Sequence, residues 1–149
     1  MKKKTSPTAA TNIRPQPSSG LTLPLLLKLQ VFYCFLGIGY NVVSLIGSRT
    51  GGEALAPTNP VMGMVVMAVY GGCLAVGALG YGRIYRVLMA LAVLVLGYGG
   101  VVVHLVNYTA GRTFLYYSIV TWGAALAINL FGIVLNFIGA LGLFSDKKK

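Results

Sequence analysis

The sequence predicts an all-α membrane protein: four transmembrane helices in an antiparallel up-down bundle, preceded by a disordered basic N-terminal tail. Three observations lead there. Of 149 residues, 56% are hydrophobic and 9% charged, whereas about a quarter of the residues in a soluble domain are charged. An almost continuous apolar tract runs from Val61 to Val106; as one helix it would be about 69 Å long, against a hydrocarbon core of ~30 Å. It has to fold back, and its only charges lie in Gly80-Tyr81-Gly82-Arg83-Ile84-Tyr85-Arg86. Finally, the basic residues sit at chain ends and helix ends, as juxtamembrane charges do, and form no stripe among surface aromatics. The formal charge of +10 therefore reads as a topology signal and an attraction to membrane lipids, not as nucleic-acid binding.

Residues 1–20 read as a cytoplasmic tail. Lys2, Lys3, Lys4 and Arg14 are mixed with Ser, Thr, Pro and Asn, with too little apolar surface to pack. The first apolar segment is long enough to span, which points to a signal anchor and not a cleaved leader. The bundle is expected over 21–144, with spans at about 25–47, 60–79, 84–106 and 114–141, and a basic cytoplasmic C-terminus over 145–149.

In span one, Pro24 suits the helix start and Lys28 can snorkel to the interface. At 100° per residue, Gln30, Cys34, Gly37, Asn41, Ser44 and Ser48 share one side, opposite Phe32, Phe35, Leu36, Val43 and Ile46. The loop that follows ends in Asn59-Pro60, a cap and a first helical residue. Span two carries Ala68, Gly71, Ala75 and Ala78 on one face, a small-xxx-small pattern for close helix approach. In the hairpin, Gly80 and Gly82 relax the backbone, Tyr81 and Tyr85 suit the headgroup level, and Arg83 and Arg86 stay in water. Span three has Ala90, Gly97, Gly100 and His104 on one face, and Gly111 is the flexible point of the next turn. Span four shows a stripe of Ser118, Thr121, Ala125, Asn129, Gly132, Asn136 and Gly139. The expected helix-packing set is thus Gln30, Gly37, Asn41, Ser44, Gly71, Ala75, Gly97, Gly100, Ser118, Ala125, Asn129, Gly132 and Asn136.

Orientation follows from the basic residues. With the N-terminus inside, ten lie on the inner side, including Lys28, Arg83 and Arg86, and only Arg49 and Arg112 lie outside. The positive-inside rule then places both termini in the cytoplasm, in a bacterial inner membrane.

Candidate chemistry centres on His104, the one histidine. The segment Gly100-Val-Val-Val-His104 resembles the small-xxx-His pattern of bacterial light-harvesting polypeptides, where the small residue makes room for a macrocycle. The resemblance implies His104 as a ligand of haem or chlorophyll. The competing expectation, preferred here, is that His104 hydrogen-bonds a neighbouring helix, with Gly97 and Gly100 letting that helix come close, and that no cofactor is bound. Asn41, Asn129 and Asn136 are expected to bond between helices at about 0.6 kcal/mol each. Cys34 and Cys73 are expected as reduced thiols acting as small apolar residues. No Asp or Glu lies inside a span, which argues against carboxylate-based ion coupling, and there is no CxxC or metal-ligand spacing.

The function expected from these features is non-enzymatic: an accessory or structural subunit packed against a larger membrane complex, since all four spans carry small or polar faces that partner transmembrane subunits, or a second copy, could use. The alternatives are a cofactor-binding subunit of an electron-transfer or photosynthetic complex using His104, and a small homo-oligomeric channel or carrier lined by the asparagines.

Overall fold

A computed structural model describes residues 20–145. The tail expected to be disordered and the last residues of the basic C-terminus lie outside that range. The described chain is all-helical: α1 (Leu23–Arg49), α2 (Pro60–Ala78), α3 (Gly82–Gly97), a π-helical turn (Tyr98–Val102), α4 (Val103–Thr109), a 3-10 turn (Thr113–Leu115) and α5 (Ile119–Leu141). Four helices are long and apolar enough to cross a membrane: α1, α2, the continuous stretch Gly82–Thr109, and α5.

Local chemistry sets the boundaries. Asn59 Oδ1 accepts from the amides of Val61 and Met62, and Pro60 occupies the first helical position, where a missing N–H costs nothing. The turn after α2 needs Gly80 at φ +87°, a conformation that a Cβ penalises. α5 ends on Gly142 at φ +68°, with Leu143 N–H donating to Ile138 O and Gly142 N–H to Gly139 O, the Schellman arrangement. Arg86 adds to that cap from another helix: its Nε donates to Ala140 O at 3.1 Å and its Nη2 to Leu141 O at 3.0 Å. Charge and orphan carbonyls suit each other at a helix C-terminus.

α1 packs against α2 and α5, and α3 packs against the same two. The packing rule is a large side chain set into a neighbour's glycine. Met67 fills the space beside Gly37, Tyr85 that beside Gly77 and Gly139, Tyr33 that beside Gly132, and Asn41 that beside Gly63. Outward, Phe32, Phe35, Val43, Ile46, Val69, Leu94 and Val134 are exposed, an apolar surface suited to hydrocarbon. The chain's two described ends meet where Ser145 N–H donates to Leu21 O and Leu23 N–H donates to Ser145 O; this is called the termini end below, and the opposite end the loop end.

Within the single chain several residues sit elsewhere than one inward face per span would put them. α2 buries Met67, Tyr70, Leu74 and Gly77; Ala68 and Ala75 are exposed and Gly71 is half-buried beside Cys34. The inward face is chosen by what can fill the glycine notches, and alanine cannot. Tyr85 is fully buried and gives its hydroxyl to Gln30 inside the bundle. Arg86 is exposed yet spends its guanidinium on the end of α5. The fourth long helix starts at Ile119, where the span was expected from about residue 114, because Ser118 and Thr121 form a capping box and the chain before them is turned and extended. Ser118 is therefore a cap and not a packing residue. Ser44 Oγ accepts from Leu55 N at 2.9 Å, so it anchors a loop and not a helix.

The π turn explains a further difference. Along an unbroken α-helix His104 would stand about 80° round from Leu96; one extra residue in the turn brings it back to within about 20°. Leu96 and His104 are both buried, while Ala90 is exposed. A single straight projection of the third span therefore misplaces one half of it.

Candidate functional site

Two polar centres and a cavity between them occupy the interior. The first centre draws on all four crossings. Gln30 on α1 and Asn136 on α5 are fully buried, and Gln30 Nε2 donates to Asn136 Oδ1 at 3.1 Å and also faces Met89 Sδ at 3.1 Å. Tyr70 Oη donates to the same Asn136 Oδ1 at 2.6 Å, and Tyr85 Oη donates to Gln30 Oε1 at 2.7 Å. Helices that do not pack side by side, α1 with α3 and α2 with α5, are thus tied across the middle. Asn136 Nδ2 is buried and has no partner among the described residues. Above this layer the Tyr33 and Tyr70 rings meet edge to face at 5.5 Å, and Tyr33 Oη reaches Asn129 Oδ1 at 3.5 Å.

The second centre lies toward the loop end. His104 is 3% exposed, and its Nδ1 lies 2.7 Å from Tyr116 Oη. Asn107 Nδ2 donates to the same hydroxyl at 3.4 Å. Tyr116 is buried, so its own hydrogen needs an acceptor, and His104 Nδ1 is the one the network offers. The hydrogen-bond network thus assigns the proton on the ring to Nε2. Trp122 Nε1 donates to His104 O at 3.0 Å and its indole stacks on Tyr108 at 4.4 Å, pinning α4 to the start of α5. Tyr40 Oη donates to Thr121 O at 3.1 Å, and Tyr117 N–H donates to Leu55 O at 3.4 Å, which joins the two loops at this end.

Between the centres is a cavity of about 380 Å³. Its floor is Gly37, Met67, Leu96 and Ala125, all buried. Its walls carry Asn41, Gly63, Gly99, Gly100 and Asn129, with His104, Thr58 and Asn59 toward the loop end. Met62 and Val95 line it as well, and both are 61% exposed, as Thr58 and Asn59 are exposed at the loop end; the cavity therefore opens sideways between α2 and α3 and also toward the loop end. Among the described residues no charged one lines it. Asn41 Nδ2 donates to Gly37 O and Asn129 Nδ2 to Ala125 O, each at 2.8 Å, so one hydrogen of each amide is used within its own helix. His104 Nε2 has no protein partner among the described residues, and it is not among the sealed, unpaired atoms. His104 is one of the residues lining the cavity, and with Nδ1 held by Tyr116, Nε2 is the ring nitrogen left for an occupant.

Of the residues singled out from the sequence, the interior brings together Gln30 and Asn136 in one centre and Gly37, Asn41, Gly100, Ala125, Asn129 and His104 around the cavity. Gly132 receives Tyr33, and Gly97 faces Ile133. Ser44 and Ser118 serve loop and cap, Ala75, Lys28 and Arg83 are exposed, and Gly71 stays peripheral. The space that Gly100 leaves is occupied by the Asn129 amide, where the light-harvesting resemblance implies a macrocycle; a macrocycle placed there would have to displace it. Among the described residues no group of three or more His, Cys, Asp or Glu could hold a metal ion. Sequence reasoning missed Tyr33, Tyr70, Tyr85 and Tyr116. Their only sequence signal is aromatic excess inside apolar spans, since a buried tyrosine needs a partner for its hydroxyl.

Comparison with protein-family models, curated proteins and solved structures finds no match to this chain.

Proposed function

We propose that the chain is a non-enzymatic four-span membrane protein that holds a small lipophilic molecule in the cavity between its helices. The helices run in alternating directions as an antiparallel bundle, with both termini in the cytoplasm of a bacterial cell and the cavity in the outer half of the membrane. The observation that carries this reading is a mostly apolar pocket of about 380 Å³ that opens sideways and presents a few convergent polar atoms. Volume and composition are those of a small-molecule site, and the sideways opening, beside the one at the loop end, would face hydrocarbon. In the polar stripes of α1 and α5, which by sequence were available to partner subunits, Gln30 and Asn136 bond to each other, Ser44 and Ser118 serve a loop and a cap, and Asn41 and Asn129 line the cavity.

One observation favours the accessory-subunit reading as a second role. Ala68, Gly72 and Ala75 leave a smooth, exposed strip on α2 that another transmembrane helix could approach closely. The test for both is purification in a gentle detergent followed by native mass spectrometry. A small-molecule mass retained by the single chain supports the ligand-holding role. A stoichiometric partner chain and no small molecule would replace it with the accessory role.

A further inference from the structure

We infer that the cavity's ligand is a neutral quinone-type molecule: a flat ring with two acceptor oxygens and an aliphatic tail, hydrogen-bonded by His104 Nε2–H. The inference rests on the ligand-holding role proposed above and narrows it to a chemical class.

Charge decides first. Among the described residues no Lys, Arg, Asp or Glu lines the cavity, so a carboxylate, phosphate or ammonium head would lose its hydration with no counter-charge in return. A neutral head is required.

Hydrogen-bond polarity decides next. With the buried Tyr116 hydroxyl donating to His104 Nδ1, 2.7 Å away, the ring's own hydrogen is on Nε2, the nitrogen left free beside the cavity. Asn41 and Asn129 each keep a second amide hydrogen after bonding Gly37 O and Ala125 O. These donors come from three elements, α1, α4 and α5, and outnumber the open amide acceptor, Asn41 Oδ1. Their natural complement is a molecule with more than one acceptor oxygen, which a quinone is and an alkanol is not. A histidine whose far nitrogen is held by a phenol, itself held by Asn107, is a donor fixed in both tautomer and direction.

Shape agrees. The walls include Gly37, Gly63, Gly99 and Gly100, so a flat ring can lie close to backbone on more than one side, and the volume suits one ring and not a macrocycle. The mouth between Met62 and Val95 leaves an aliphatic tail free to enter the bilayer. No electron transfer is part of the inference; the ligand is held and not turned over.

The test places the full chain in lipid nanodiscs and titrates decylubiquinone, 1-dodecanol and dodecanoate, with adducts counted by native mass spectrometry. Decylubiquinone should bind one per chain, and His104→Phe should weaken it about tenfold. Binding of dodecanol but not decylubiquinone would overturn the quinone assignment and leave the ligand-holding role intact; binding of none of the three would overturn both. Equal binding by the wild type and by folded His104→Phe would remove His104 from the site. A second readout needs no variant. The carbonyl stretch of decylubiquinone bound to the wild type should shift to lower frequency than in protein-free nanodiscs, and an unshifted band would overturn the hydrogen bond.

Discussion

The phenol ring of Tyr33 on α1 occupies the space that a side chain at position 132 on α5 would need. This pair joins the two helices midway between the buried Gln30–Asn136 bond and the cavity. The glycine is not there to let two backbones touch. It is a socket for an aromatic ring that then reaches on to Asn129.

Gly132→Leu should therefore be destabilising by about 1–3 kcal/mol, as overpacking of a filled site is. Val134→Leu, on the exposed side of the same helix, should change stability by no more than about 0.5 kcal/mol. Thermal unfolding in detergent, followed by circular dichroism, measures both. Equal losses would mean that α5 packs through another face.

The central polar layer makes a non-additive prediction. Gln30→Leu leaves the buried Tyr85 hydroxyl without its acceptor, at about 1–3 kcal/mol. Tyr85→Phe removes the hydroxyl itself, so the double variant Gln30→Leu/Tyr85→Phe should lose less than the two single losses added together. Strict additivity in a double-mutant cycle would show that the 2.7 Å contact carries no coupling.

Arg86 should act on a helix that it does not belong to. Its hydrogen bonds to Ala140 O and Leu141 O hold the last turn of α5, so Arg86→Ala should speed amide hydrogen exchange at Gly142 and Leu143 while leaving Asn136 slow. Unchanged exchange at the end of α5 would remove the cap.

Orientation is open to direct labelling. With Cys34 and Cys73 replaced by alanine, Glu53→Cys should react with a membrane-impermeant maleimide from outside the cell, and Tyr81→Cys only after the membrane is opened. Both native residues are exposed. The reverse pattern would turn the proposed topology over.

Much of the fold was legible because each crossing is apolar for its whole length and each turn carries its own marker, such as Asn59-Pro60 or Gly80. The asparagine and glutamine of the centre were legible too, since a costly polar side chain in an apolar helix has to face inward. The face of α2 was not. A run of small residues and a row of Met67, Tyr70 and Leu74 both describe an inward face, and the choice depends on glycines in other helices. Nor was the π turn legible: Gly99-Gly100 permits it, but only the pull of Tyr116 and Asn129 on the loop-end half shows that the register changes there. Tyr116 itself was hidden for the same reason, because its partner His104 lies on another element and its place is set by the cap at Ser118.

The central claim, that the cavity between the two polar centres is a ligand site, is tested most directly by filling it. Ile128 lines the cavity from α5 and is half-buried, so Ile128→Trp would put an indole into the empty space without touching the Gln30 layer. Native mass spectrometry of the wild type and the variant, purified side by side from the same membranes, reads the outcome. A small-molecule adduct on the wild type and none on a folded Ile128→Trp is the predicted result; the same adduct on both, or none on either, would contradict it.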